Sequence, residues 1–275
     1  MKESYAVQTL CRVLGCARSS YYYEPVEKEE GALLAAMEQI MLRWPFYGYR
    51  RLLAQLRREG WAVGERMVRR LLKFLGGSRQ MARLTVKTTD SSQPHWRYPN
   101  LLKNRAITHP DQAWCADITY IRLGHRFIYL AVMLDIYTRA VRGWALSRHI
   151  DQQLTLAALQ MALANGRPTI FHSDQGAQYT AWQHTEMLRT AGCQISMADV
   201  GQPTQNAFAE RFIRTFKEEH LDYADYADFD DALRQIQLWL EETYMTQRIH
   251  SALGYLTPAE FEAAAIANAS HQFAF

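Results

Sequence analysis

An α/β fold, built on a mixed sheet with helices on its faces and preceded by an all-α basic region, is what this sequence predicts. Three observations carry that expectation. The hydrophobic period is helical as far as about residue 77 and alternates beyond about residue 106. After the switch, three strand-like runs follow one another as a meander and then give way to alternating helix and strand, the order that builds a mixed sheet. The formal charge of +3 over 275 residues is also unevenly spread: residues 1–105 hold 19 Lys and Arg against 9 Asp and Glu, and the rest hold 12 against 19. A basic front suits nucleic acid, whereas an acidic rear concentrates carboxylates for another task such as holding cations.

The first expected element is a helix, turn and helix over 4–23, where Val7, Leu10, Val13 and Leu14 keep helical spacing, Gly15 breaks it, and Ser19 and Ser20 follow in a short second segment. The stretch has the size of a DNA-reading helix pair, and a plain helical hairpin fits it equally well. Three further helices are expected over 30–75. The first carries Leu33, Leu34, Met37, Ile40 and Met41 and ends at Trp44 and Pro45; the second closes at Gly60 and the third at Gly76 and Gly77. Arg50, Arg51, Arg57 and Arg58, then Arg66, Arg69 and Arg70, lie opposite the leucines, as phosphate-contacting rows do, although a solvated basic face has the same pattern. From 78 to about 100 the sequence turns polar and basic with little periodicity, the composition of a linker lying along DNA.

Strands are expected at 114–121, 127–134 and 140–146, a helix at 154–164, a strand at 168–172, a helix at 182–190 and a strand at 194–197. The stretch 205–220 then reads as one helix, with Pro203 and Thr204 at its start. Phe208, Ala209, Phe212 and Phe216 form its core stripe, and Asn206, Glu210, Ile213 and Lys217 a second stripe. Asp117 lies in a half-apolar strand, where a charge is costly unless paired, and Asp174 stands just past a strand end, where open α/β sheets place their sites. With Glu210 they make three carboxylates that repel one another if they converge; hard oxygen ligands of this kind suit magnesium or manganese.

Other features exclude function classes. Cys11, Cys16, Cys115 and Cys193 form no C-x-x-C pair and no histidine occurs in 1–80, which argues against a zinc site in the front. The cysteines read as small buried residues of a reducing compartment. No apolar run reaches membrane-spanning length and the first residues lack a signal-peptide core, so a cytoplasmic protein without membrane association is expected. Asp135 and Arg139 bracket a turn and suit an Asx turn with a structural ion pair; His172 suits a structural hydrogen bond, and Trp114, Trp144, Trp182 and Trp239 suit core or interface.

The stretches WCADITYI at 114–121, LAVMLDIYTRAVRGW at 130–144, FHSDQGAQY at 171–179, ISMADVGQPTQNAFAERFIRTFKEE at 195–219 and YMTQRIHSALGYLTPAEF at 244–261 resemble the insertion-sequence-3 family of bacterial transposases. Upstream, CRVLGCARSSYYY at 11–23 and YGYRRLLAQLRREG at 47–60 look like that family's helical DNA-binding segments. The resemblance implies a ribonuclease-H-like catalytic domain similar to retroviral integrases at 106–267, behind a helical, helix-turn-helix-like DNA-binding region at 1–77 and a basic linker at 78–105. Position by position it implies that Asp117, Asp174 and Glu210 are the metal-binding acid triad and that Lys217 binds the element's end. Gln205 stands where the family commonly has aspartate and Ala198 where serine is usual; neither touches the triad, and the departure at Gln205 bears on the start of the Glu210 helix or on DNA contacts there. Tyr244, Arg248 and His250 lack the second arginine motif of a tyrosine recombinase and are expected to orient the final helices or to contact DNA.

The implied activity is nicking of insertion-element ends and joining of the 3′-hydroxyl to DNA, by phosphoryl transfer with two Mg2+ ions per site and Mn2+ as a substitute. The implied partners are the terminal inverted repeats and target DNA, further copies of the chain on that DNA, and an upstream-frame protein or a fusion with it, in a nucleoid-associated bacterial setting. A DNA-binding regulator without chemistry and a ribonuclease acting on RNA–DNA hybrids are the other classes; an intact acid triad argues against the first, and Lys217 with the basic front against the second.

Overall fold

The computed structural model describes residues 6–23, 30–77, 98–199 and 201–272; most of the expected linker lies outside them. The chain opens with α1 (Val7–Val13) and α2 (Arg18–Tyr21), separated at Gly15, whose φ of 62° a residue with a side chain rarely adopts. Of the expected α1 stripe, Val13 and Leu14 remain 78% and 68% exposed, because nothing among the described residues covers them. The next three helices, α3 (Gly31–Arg43), α4 (Tyr49–Arg58) and α5 (Glu65–Phe74), lie where the spacing predicts. They close over Met37, Trp44, Tyr47, Leu52, Leu56 and Val68, and Ile249 from the far end of the chain completes that core.

The sheet has the order β3-β2-β1-β4-β5. Strands β1 (Ala113–Leu123), β2 (Arg126–Asp135) and β3 (Val141–Ser147) form the antiparallel meander, while β4 (Ile170–Ser173) and β5 (Gln194–Met197) continue it in parallel from the other edge of β1. A parallel step needs a crossover, which α6 (Gln152–Ala164) supplies between β3 and β4, and α7 (Ala177–Thr180) with α8 (Trp182–Thr190) between β4 and β5. The short α7 has no expectation in the sequence; it is one turn set by Gly176.

Alternation along β1 sorts its side chains onto two packed layers. Trp114 and Ala116 face α6 and α8, whereas Ala113 and Cys115 face α9 (Ala207–Phe216), α10 (Phe229–Leu238) and the wide π turn Trp239–Gln247 that extends α10. By the same alternation Asp117 belongs to the α9 layer. The approach of α6 to β3 is so close that a Cβ on Gly143 would stand 2.3 Å from the Ala158 carbonyl oxygen. After a second π turn (Lys217–Leu221), α10 and a short 3-10 turn (Ser251–Leu253), the last described element is α11 (Pro258–Gln272).

Candidate active site

Glu210 reaches the sheet because α9 is fixed at its start. Pro203 heads a 3-10 turn (Pro203–Asn206), and the Asn206 side chain, buried, donates 3.0 Å to the Ala116 carbonyl oxygen of β1. The helix then buries Ala209, Phe212 and Phe216 against the sheet. Phe208 departs from the expected stripe: it is 44% exposed, one step too far round, and lies under the Arg139 guanidinium at 4.1 Å. Gln205 latches the segment before α9, accepting from Asn100 Nδ2 and the Asp199 amide at 2.7 Å each and donating to Asp199 Oδ2 at 2.9 Å.

Asp117 is half-buried at mid-strand in β1, Asp174 follows β4 directly, and Glu210 is half-buried one turn into α9. Burial pushes the Asp117 carboxyl up to about 7, and the charges of Asp174 and Glu210 push it the same way while Lys217 opposes them. Burial also raises Asp174, against the hydrogen bond that its Oδ1 accepts from the Gly176 amide at 3.0 Å. Asp117 Oδ1 accepts from the Ile118 amide at 2.8 Å. Asp117 therefore feels both of the other acids, each from a different element, yet among the described residues no three His, Cys, Asp or Glu side chains form a ready-made group for a metal ion. The donor set still fits a divalent cation. It consists of hard carboxylate oxygens that make no ion pair among the described residues, and Tyr179, fully buried within reach of Asp117 and Asp174, has a hydroxyl without a partner among the described residues.

Lys217 begins the π turn after α9, and its Nζ lies 4.9 Å from the centre of the Tyr120 ring. Exposed arginines line α4 and α5: Arg50, Arg57 and Arg58, then Arg66, Arg69 and Arg70. Arg58, Arg69 and Arg70 hold surface carboxylates, those of Glu260, Glu65 and Glu30. Two arginines expected at DNA are placed otherwise. Arg248 is 5% exposed and gives Nε and Nη2 to Glu219 at 2.5 and 2.7 Å, and Arg51 gives Nη1 to the same carboxylate at 2.9 Å. Their guanidinium groups are taken up inside the fold, because each lies beside a buried acid that the sequence does not single out.

The residues expected to be structural fare unevenly. His172 is buried, with Nδ1 accepting from Ser196 Oγ at 2.8 Å and Nε2 donating to the Gln205 carbonyl at 3.1 Å. Asp135 does make the Asx turn, accepting from the Tyr137 and Thr138 amides, but its cation is Arg142 and not Arg139. Trp114, Trp144 and Trp239 are core, and Trp182 is 71% exposed.

The integrase core domain family matches residues 107–203 and again, in a second form, 191–258, and an HTH-like domain matches 28–80, the segment of α3 to α5 and not the pair at 4–23. A Shigella sonnei protein described as the insertion element IS600 uncharacterized 31 kDa protein is 35% identical, over 92% of this chain and 97% of its own. The transposase for insertion sequence element IS904 of Lactococcus lactis subsp. lactis is 31% identical, over 78% and 87%. Transposase InsF for insertion sequence IS3A of Escherichia coli is 29% identical, over 95% of each chain. The chain belongs to the insertion-sequence-3 family of transposases. Its sheet, with a meander continued in parallel past β1 and an acid on the central strand, is the ribonuclease-H-like integrase core, and α3 to α5 are the helix-turn-helix-like region of this transposase.

Sequence reading puts Asn206 on the Glu210 stripe without giving it a role, and does not single out Tyr179 beside the acids or Glu219 behind Lys217. Tyr179 stands within the FHSDQGAQY stretch and Asn206 four residues before Glu210, so their places are legible; their burial is not.

Proposed function

We propose that this chain nicks the ends of an insertion element and joins the exposed 3′-hydroxyl to target DNA, with Asp117, Asp174 and Glu210 as the catalytic acids. The observation that carries the reading is the convergence of three carboxylates from a central strand, a strand end and a helix, close enough that Asp174 and Glu210 raise Asp117. The same three side chains would hold magnesium, two ions in our reading and manganese as substitute. Bound divalent ions supply Lewis-acid stabilisation of the attacking and leaving oxygens of a phosphodiester.

The chain's own groups prepare that chemistry. The Ile118 and Gly176 amides fix one oxygen each of Asp117 and Asp174, leaving the other oxygens for a cation. Asn206 ties the start of α9 to β1 and so sets Glu210 opposite Asp117. Lys217 adds a positive charge for the phosphate of the element's end, and Arg50, Arg57, Arg58, Arg66, Arg69 and Arg70 hold the flanking duplex. Surface ion pairs such as Arg58–Glu260 contribute about 0–1 kcal/mol and exchange readily for phosphate.

In this reading the protein works on the nucleoid in the cytoplasm, as several copies on one DNA complex, alone or joined to an upstream-frame product. The test is to incubate the chain with duplex carrying its element's terminal repeats and magnesium and to map the broken strand. A nick at the repeat end that Glu210→Gln abolishes supports the reading; a nick that survives Glu210→Gln overturns it.

A further inference from the structure

Glu219 is a buried acid that the chemistry above does not use. It lies in the π turn that carries Lys217, and it is the one carboxylate shared by Arg248, from the C-terminal segment, and Arg51, from α4. Residues two apart on a helical turn face roughly opposite sides. Lys217 accordingly turns to Tyr120 on β1, within range of the Asp117 charge, and Glu219 turns to the helical front. The wide π turn, a distortion that tends to mark functional positions, is what carries both.

The rest of that contact shows how firmly the front is seated on this turn. Arg51 lies over the Tyr47 ring at 4.6 Å and gives Nη2 to the Phe46 carbonyl at 3.2 Å. The Ile249 amide donates to the Tyr47 hydroxyl at 3.2 Å, and Ile249 itself is part of the core of α3 to α5. A bidentate guanidinium–carboxylate pair removed from water resists displacement and fixes orientation. A shift of the front therefore pulls on Glu219 and, two residues away, on Lys217.

We propose that Glu219, held between Arg51 and Arg248, is a positioning residue that couples DNA engagement by the helical front to the placement of Lys217 at the acid site. The inference rests on the transposase reading for what the site does and on the structure alone for the coupling. Arg51 is the place to cut the link: removing it leaves Glu219 paired with Arg248, whereas removing Glu219 strands a buried Arg248.

The experiment uses the full chain as wild type, Arg51→Met and Arg51→Lys. The first readout is hydrogen exchange of the 217–221 amides with and without duplex DNA carrying the terminal repeats. Coupling predicts that DNA slows exchange there severalfold in the wild type, not at all in Arg51→Met and partly in Arg51→Lys, while all three bind DNA. An equal response in wild type and Arg51→Met, or no response in the wild type, overturns it. The second readout sets cleavage at repeat ends against nicking of unrelated DNA in manganese. Arg51→Met should lose end cleavage by on the order of tenfold or more, as slight misplacement does, and keep unrelated nicking. An equal fall in both marks a merely structural pair and overturns the proposal. Glu210→Gln serves as the control for the chemistry: cleavage that survives it refutes the transposase assignment, while the exchange readout still decides the coupling.

Discussion

The Lys217 ammonium sits 4.9 Å from the centre of the Tyr120 ring, at the end of α9 opposite to Glu210, and its charge opposes the proton affinity that burial confers on Asp117. Spacing alone puts Lys217 about 10 Å beyond Glu210 along a helix axis, seven residues at 1.5 Å each. The contact with Tyr120 holds it beside β1, where its charge still reaches Asp117. Lys217→Ala should leave folding within about 1 kcal/mol, the value of an exposed cation–π contact. It should lower end cleavage by on the order of tenfold to a hundredfold through poor placement. Lys217→Arg should recover part of the loss, since charge is kept and geometry changes. Side-by-side cleavage of repeat ends and of unrelated DNA in manganese checks this; an Ala variant that loses nothing on repeat ends removes Lys217 from the site.

The three acids separate chemistry from stability. Asp117→Asn, Asp174→Asn and Glu210→Gln should each abolish strand cleavage while duplex binding by the front stays within about a factor of three, because charge is removed from a site that the arginine rows do not share. Asp117→Asn also removes a carboxylate raised by burial and by its two neighbours, so in metal-free buffer its melting temperature should equal or exceed that of the wild type. A cleavage-competent Asp117→Asn, or one that unfolds, would refute the assignment of this carboxylate.

The front is tested by salt. Arg50, Arg57 and Arg66 are exposed on α4 and α5, and none of them bonds a carboxylate among the described residues. Changing all three to Ala should weaken duplex binding and flatten the slope of log affinity against log salt by roughly 0.9 for each phosphate that is no longer neutralised. An unchanged slope across a salt titration would move the DNA to another face.

How much of this is legible in sequence depends on what each residue answers to. The strands of the meander and α3 to α5 announce themselves because their hydrophobic period is local, and the acids because a carboxylate in an apolar strand demands a partner. Arg248 and Arg51 read as surface arginines because their partner, Glu219, lies 29 and 168 residues away and falls into place only when the front docks on the π turn. Phe208 and Trp182 look like core by type; one sits at the rim of α9 under Arg139 and the other at the first position of α8, facing outward. The π turns themselves have no local signature.

Gly143 fixes the distance between β3 and α6. A Cβ there would meet the Ala158 carbonyl oxygen at 2.3 Å and the Ala162 amide nitrogen at 2.6 Å, both backbone atoms. The helix must move for alanine to fit, and overpacking of this kind costs roughly 1–3 kcal/mol. Urea unfolding should show Gly143→Ala destabilised by about that amount, whereas Gly64→Ala, with nothing near its Cβ, should change little. Equal midpoints for the two variants would mean that α6 packs less tightly than this.

His184 gives the protein an acid sensitivity with a defined window. Its ring is fully buried between Phe171 and Tyr179, neither nitrogen has a partner among the described residues, and burial lowers it from 6.5 to about 4. Above pH 6.5 the imidazole is neutral in both folded and unfolded chains and contributes no pH dependence. Between 6.5 and about 4 the unfolded chain binds a proton that the folded chain refuses, so stability falls as pH falls; below about 4 both are protonated and the loss is complete. The loss amounts to on the order of a few kcal/mol. His220, stacked on Trp239 and also lowered to about 4, adds to the same window, as do His172 and His250, both lowered by burial, so the wild type alone does not isolate His184. His184→Phe should therefore be compared with wild type by urea unfolding at pH 7 and pH 4.5. The variant is expected to lose less stability on acidification by on the order of 2 kcal/mol, because the imidazole at 184 no longer contributes while the other buried histidines are common to both proteins. If the two proteins lose the same amount, the ring at 184 is reached by water and carries no such penalty.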